Sequence, residues 1–306
     1  MRRRLSSLPS FQIAHLSDPH LPLAEYPALD EIRFKRLLSL LSWTLKRRHL
    51  HKAAPLARVM DDIRRFQPEL VALTGDLTNL GLRSEFRRAR QWMQEQALPL
   101  TLLVPGNHDA LIPQNPAGKA ALWADWLKTG TSFPSLLLKD HIALIGVNSA
   151  VPTRPFFASG KLGAAQAERL RAVLLKAGQD GLCRVLLIHH PPVANLVSRR
   201  KGLDDMDLLQ SVLRDAGAEL VLHGHSHRAT LACIPHTEIP VVGTTSASHS
   251  AGSPDTAAGW NAIAVHPQAG HWAITVLRRE LGTDGIMRDG PTHTFTPHRL
   301  SASIRL

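Results

Sequence analysis

The chain of 306 residues has only two cysteines, Cys183 and Cys233, spaced neither as CxxC nor as a zinc finger. That scarcity argues against a disulfide framework or a thiolate metal site and fits a reducing cytoplasm. No apolar run approaches the length of a membrane span, and the basic start, Met1 to Ser10, passes straight into a strand pattern without an intervening apolar stretch. The expected location is therefore cytoplasmic, with peripheral contact at an anionic membrane left open. No repeat of fixed period runs through the sequence, which excludes a solenoid. Acids are scarce beside bases, 25 Asp and Glu against 36 Lys and Arg, and the formal charge is +11. Such a field draws anions, whether phosphates, nucleic acid or acidic lipid, without choosing among them. Aromatic residues do not interleave with basic ones and no nucleic-acid motif stands out, so no nucleic-acid partner is expected. Oligomeric state is not legible.

What is present is a chain 44% hydrophobic, long enough for one large α/β domain. Short apolar runs recur, and each ends abruptly in a polar cluster. Phe11–Leu16 precedes Ser17-Asp18-Pro19-His20, and Leu70–Leu73 precedes Thr74-Gly75-Asp76. Leu100–Val104 leads into Pro105-Gly106-Asn107-His108-Asp109, and Ile142–Ile145 into Gly146-Val147-Asn148-Ser149. Arg184–Ile188 runs into His189-His190-Pro191-Pro192, and Glu219–Leu222 into His223-Gly224-His225-Ser226-His227. Helical patterns at Leu56–Phe66, Ser84–Gln96 and Ala164–Ala177 lie between them, as in a βαβ architecture. Ile239–Val242, Trp260–His266 and His271–Leu277 read as further strands, the last two joined as a hairpin through Pro267–Gly270 and suggesting a second, more antiparallel sheet. The Gly-, Pro- and Thr-rich stretch 282–306 reads as an extended or loosely packed tail after a single domain over 1–281.

In an open α/β sheet, loops leaving the carboxyl ends of strands converge on one crevice. The polar clusters supply carboxylates, imidazoles and an amide, donors suited to Mn²⁺, Fe²⁺, Fe³⁺ or Zn²⁺. Seven candidates, Asp18, His20, Asp76, Asn107, His189, His225 and His227, exceed the four ligands of a closed zinc site and suit two ions sharing one carboxylate. His225 and His227 alternate, which points both to one side of an extended backbone. Singly each piece is weak: Asp18 serves a turn as readily as a metal, and His189-His190 a polar strand end. His15 reads as a buried hydrogen-bonded residue within the first strand, and His49, His51 and His141 show no ligand spacing. His223 suits either support of His225 or strand-end packing.

The ordered set Asp-x-His, Gly-Asp, Gly-Asn-His-Asp, His-His-Pro and Gly-His-x-His, each after a strand, resembles the calcineurin-like metallophosphoesterase family. Gly75-Asp76-Leu77-Thr78-Asn79-Leu80-Gly81 with Glu85-Phe86, together with His189–Pro192 and Gly243–Ser248, is similar to the bacterial class III cyclic-nucleotide phosphodiesterase type. The resemblance implies a four-layer α/β/β/α sandwich of two mixed sheets flanked by helices, with a metal site on loops at strand C-terminal ends. It implies that Asp18, His20 and His227 hold one ion, Asn107, His189 and His225 the other, and that Asp76 bridges them. A metal-bridging hydroxide would then attack a phosphate ester in line. Asn107 and His108 would face substrate, and His190 would either face it or support the ligands from behind. His108 would donate to the phosphate or protonate the leaving oxygen, and Asp109 would either orient it or cap a helix.

One region departs from the resemblance. From Pro22 to Pro55 the sequence is longer than expected, and Glu31 to Lys52 carries seven Lys or Arg against one acid. Phe34, Leu37, Leu38, Leu41 and Leu45 form one helical stripe. The stripe is expected to pack on the body with the basic face in water; the other reading is a cap or a membrane-surface helix admitting a lipid-linked phosphate. Its histidines lack ligand spacing, so the segment is expected to hold no metal and to add nothing to the chemical step. The expected activity is a phosphodiesterase. The alternative is a pyrophosphatase acting on a lipid-linked nucleotide such as UDP-2,3-diacylglucosamine, although enzymes of that kind tend to carry Arg where this chain has His108. A non-catalytic phosphate- or nucleic-acid-binding module is the remote third.

Overall fold

A computed structural model of the chain describes residues 10–113, 121–128, 132–250, 252, 255–268 and 270–297. The basic residues 1–9 and the end of the expected tail, 298–306, lie outside the described residues. The elements begin with β1 (Phe11–Leu16), α1 (Phe34–Ser42), α2 (Arg48–Leu50), α3 (Ala53–Phe66), β2 (Leu70–Leu73), α4 (Arg83–Gln96), β3 (Leu100–Leu103) and α5 (Ala124–Leu127). There follow β4 (Ser135–Lys139), β5 (Ile142–Gly146), α6 (Ala164–Gln179), β6 (Cys183–Ile188), α7 (Met206–Ala216) and β7 (Leu220–His223). The chain closes with β8 (Thr230–Cys233), β9 (Pro240–Gly243), β10 (Gly259–Gln268), β11 (His271–Leu281) and β12 (Met287–Phe295).

Two six-stranded mixed sheets form, in the orders β12-β11-β10-β1-β2-β3 and β4-β5-β6-β7-β9-β8. Strands β1, β2 and β3 are parallel, as are β5, β6, β7 and β9. Alternation along each central strand divides its side chains between two cores. Phe11 and Ile13 of β1 meet Val185 and Leu187 of β6 between the sheets. Ala14 and Leu16 face Leu56, Val59, Met60 and Ile63 of α3 and Phe86, Ala89 and Met93 of α4. Leu186 and Ile188 face Leu170 and Leu174 of α6 and Leu209 and Leu213 of α7. Burial on both faces is why these strands are unbroken apolar runs. The result is an α/β/β/α sandwich.

At the root of the second sheet, Arg184 and Glu219 form a buried pair at 2.6 Å, and Arg184 Nη1 also donates to Ala216 O at 2.6 Å. Removing one partner of such a pair strands a charge in a low-dielectric core, at a cost of about 3–5 kcal/mol. The pair joins the starts of β6 and β7, the two strands that carry His189 and His225 at their other ends.

Three expectations need correction. The antiparallel strands do not build a second sheet: β10 pairs with β1, so β10, β11 and β12 complete the first sheet, while β9 joins the other. The stretch from Gly282 is not a loose tail as far as 295, because β12 pairs with β11. An edge strand tolerates Gly290 and Pro291, whose composition suggested a tail. Finally, α1 is turned opposite to the expectation. Arg36 is buried and donates to Glu31 O, Leu80 O and Gly81 O at 2.7, 3.0 and 2.6 Å. Phe34, Leu37, Leu41 and Leu45 are exposed. A buried guanidinium satisfied by backbone carbonyls outweighs the apolar stripe in setting which face turns inward.

Candidate metal centre

The loops after β1, β2, β3, β6 and β7 meet at one edge of the sandwich, and all seven candidate ligands come together there. The backbone is bent to bring them in. Asp18, His20, Asp76, His225 and His227 all adopt left-handed conformations, with φ of 52°, 38°, 55°, 64° and 53°. Non-glycine residues enter this region at a cost, and clusters of them mark functional sites. Cross-loop bonds hold the bends: Asp18 N donates to Gly75 O at 2.9 Å, His20 N to Asp76 O at 3.0 Å, and Gly224 N to His189 O at 3.2 Å. Gly75 has φ +95°, and a Cβ there would stand 2.6 Å from Gly106 N and 2.8 Å from His189 Nδ1. Only glycine lets these loops approach so closely.

The donor atoms of the expected ligands fall into two groups sharing a residue. One comprises Asp18, His20, Asp76 and His227; the other comprises Asp76, His189 and His225. His20 Nε2 lies 3.9 Å and His189 Nε2 3.4 Å from the same Asp76 oxygen, Oδ2. His227 Nε2 is 3.0 Å from Asp18 Oδ1 and 3.2 Å from His20 Nε2. Asn107 Oδ1 extends the second group, 3.2 Å from His189 Nε2.

Tautomers are fixed from behind. His189 Nδ1–H donates to Thr74 O at 2.6 Å and His20 Nδ1–H to Thr78 O at 3.3 Å, turning each Nε2 toward the cluster. His225 uses Nε2–H on Lys201 O at 2.9 Å, so Nδ1 faces inward. This backbone-oriented imidazole is the usual support of a metal ligand. Burial and neighbouring histidines hold His20 and His225 well below the ordinary imidazole range, hence neutral. Burial disfavours charge on Asp76, but His189 and His108 outweigh it and keep the carboxylate ionised. Burial likewise opposes protonation of His189, yet Asp76 lifts it to about 9. A cation is therefore favoured beside Asp76: neutral His20 and His225 with the ionised carboxylate are in the ligand-ready state, and a metal ion would take the place of the proton on His189. The donor chemistry fits borderline or hard cations.

Other candidates occupy different positions from those expected. His108 stands at the rim, Nδ1–H donating to Asn79 O at 2.7 Å and Arg47 Nη1 3.2 Å from its Nε2. Asp109 does not orient it: its oxygens accept from Asp76 N and Gly106 N, both at 2.9 Å, and from Thr78 N at 3.0 Å and Thr78 Oγ1 at 2.9 Å. Nor does it cap a regular helix. It braces the Asp76 loop against the Asn107 loop. His190 is fully buried rather than open to substrate, with Nδ1 accepting from Ser149 Oγ at 2.8 Å and Nε2–H directed at Ala158 O at 3.2 Å. It packs behind His225, ring centres 4.6 Å apart. His223 contacts Gly224 O and Thr230 Oγ1, and so supports the strand end rather than His225.

The inserted segment enters the site after all. His51 groups with His20 and His227 and is held by Ser246 Oγ and Ser248 Oγ at 3.1 and 3.0 Å. Arg47 brings a cation to the rim beside His108. Neither carries a motif spacing. The available signal was the distinctiveness of the segment itself, together with the serines of Gly243–Ser248 that receive His51.

A four-layer α/β/β/α sandwich with this donor cluster at its strand ends defines the class of metal-dependent phosphoester hydrolases. Residues 11–229 match the family described as calcineurin-like phosphoesterase, and the chain belongs to that family. It is 26% identical over 227 residues to a probable cyclic nucleotide phosphodiesterase of Synechococcus sp., spanning 72% of this chain and 82% of that protein. It is 28% identical over 144 residues to a probable glycerophosphodiester phosphodiesterase GpdQ of Arcobacter nitrofigilis, 46% of each. Among solved structures, a dimetal phosphatase from Danio rerio superposes with a TM-score of 0.60 at 12% identity, covering 94% of this chain and 99% of that one. A purple acid phosphatase from yellow lupin gives 0.64 at 12% identity, over 96% and 55%. At such identity these two structures speak for the fold alone. The chain is thus a phosphoester hydrolase with a cluster of His and Asp able to hold metal ions.

Proposed function

We propose that the protein is a dinuclear-metal-dependent phosphodiesterase acting on small diesters such as cyclic nucleotides or glycerophosphodiesters. The observation that carries this reading is the shared position of Asp76 in both donor groups. Asp18, His20, Asp76 and His227 would hold one ion, and Asp76, Asn107, His189 and His225 the other, with manganese, iron or zinc as candidates. When bound, such a pair supplies a water acidic enough to ionise near neutral pH and two positive charges against phosphate oxygens.

The chain's own residues supply orientation and a proton. His108 N donates to Asp76 Oδ1 at 2.7 Å, which fixes Asp76 and places the imidazole over the cleft. With Nδ1 committed to Asn79 O, Nε2, which accepts from Arg47 Nη1 at 3.2 Å, is the ring atom a substrate would reach by displacing that contact. Burial and then Arg47 depress this imidazole to about 4. A phosphate anion seated between Arg47 and His108 offsets the Arg47 charge that depresses the imidazole, which favours a proton on Nε2 for delivery to the phosphate or the leaving oxygen. Arg47 contributes a second positive group for the charge developing on the phosphate. The relatives named for diester substrates support the diester preference.

A lipid-linked pyrophosphate such as UDP-2,3-diacylglucosamine is the second reading, favoured by one observation: Leu41, Leu45, Phe156 and Phe157 help line a cleft of about 730 Å³ above Asp76 and His108. A non-catalytic module would leave both donor groups idle. The proposal places the protein in a reducing cytoplasm, with the two cysteines not joined to each other. The test is a substrate panel with metal-loaded protein. Diesters or cyclic nucleotides should give the highest kcat/KM; a monoester preference would overturn the diester assignment, and a preference for nucleotide-lipid pyrophosphate would install the second reading.

A further inference from the structure

The helix α1 and the helical turn at Trp43–Arg47 that continues it show water their apolar face. Phe34, Leu37, Leu41 and Leu45 are 65%, 45%, 55% and 72% exposed, while Arg36 on the opposite face is buried. Lys35 Nζ donates to Thr153 O and Oγ1 at 3.0 and 2.6 Å, tying α1 to the 151–158 loop. In that loop Phe156 and Phe157 are 75% and 49% exposed. Leu41, Leu45, Phe156 and Phe157 share one cleft mouth, so the two sets of side chains form a single surface. Exposed apolar surface of this extent, rimmed by polar groups, marks an interaction site.

The rim chooses the partner. Lys46, Arg200 and Lys201 are exposed and line that cleft, and Arg33 and Arg48 are exposed at the start of α1 and of α2. Besides partial burial, the charges that depress Lys201 are those of Arg200 and Lys46, so cations crowd together here. No membrane-spanning helix occurs among the described residues, and an amphipathic helix with a basic border is the element that lies in a lipid interface instead. A second copy is the poorer occupant, because a two-fold contact would set these same cations face to face.

We propose that α1 and the 151–158 loop dock on an anionic lipid bilayer, the apolar side chains entering the headgroup boundary and the cations meeting lipid phosphates. The cleft would then open at the membrane surface. Docking of this kind is independent of which phosphate ester is cut.

The test is co-sedimentation of the full chain with vesicles of phosphatidylcholine alone or mixed with phosphatidylglycerol, beside hydrolysis of a soluble diester. The native protein should bind the mixed vesicles and leave the neutral ones. Arg33→Gln with Arg48→Gln should weaken binding by about fivefold per residue, and Phe34→Ser with Leu37→Ser should abolish it. These residues lie outside the cleft lining, so diester hydrolysis should be unchanged in both variants. Failure of the native protein to bind mixed vesicles, or undiminished binding by both variants, would overturn the docking proposal and leave the diesterase reading intact. A native dimer that Phe34→Ser dissociates, without vesicle binding, would also overturn it. Vesicle binding without diester hydrolysis would uphold docking and sink the diesterase reading.

Discussion

Asp76→Asn is expected to remove both ions and, with them, turnover. Asp76 Oδ2 faces His20 Nε2 at 3.9 Å and His189 Nε2 at 3.4 Å, one from each donor group. A carboxylate there contributes negative charge to two cations at once, and an amide contributes none. Losing a mere outer-shell partner costs metal sites about 10- to 100-fold in affinity, so losing a shared ligand should cost each ion at least that. The substitution is nearly isosteric, and Asn Oδ1 can still accept from His108 N, so the loop should keep its shape. Metal analysis after gel filtration, with circular dichroism to confirm folding, reads the result. A folded variant that retains two ions per chain and the full rate would refute the assignment of Asp76.

His108→Ala should lower turnover by about 10² to 10⁴ while leaving the metal content intact. The imidazole is held by Asn79 O and Arg47 and lies outside both donor groups, so its removal deprives no ion of a ligand. The leaving group separates its two possible duties. If Nε2 protonates the leaving oxygen, an aryl diester with an acidic phenol should suffer much less than an alkyl diester, because a good leaving group needs little help. Equal losses on both would assign His108 to binding the phosphate and reject the acid role.

The central strands were legible because burial on both faces leaves uninterrupted apolar runs, and the donor cluster because each run stops at His, Asp or Asn. Periodicity alone could not orient α1. It revealed the stripe from Phe34 to Leu45, but which face turns inward is decided by Arg36 meeting Leu80 O and Gly81 O, far away in sequence. His51 and Arg47 were passed over for the same reason: the folding back of the inserted segment, rather than a spacing, brings them to His227 and His108. Gly-Asn-His-Asp left Asp109 open between a partner of His108 and a helix cap, whereas its carboxylate is consumed by backbone and hydroxyl donors of two loops. The strand β12 hid behind Gly290 and Pro291, residues that an edge position permits.

The most direct measurement is a titration of chelator-stripped protein with Mn²⁺, following hydrolysis of bis(p-nitrophenyl) phosphate and bound metal together. Two donor groups joined through Asp76 predict no turnover in the stripped protein and a rate that reaches its plateau as the second ion per chain binds. Full turnover without added ions, or a plateau already reached with one, would contradict the dinuclear account.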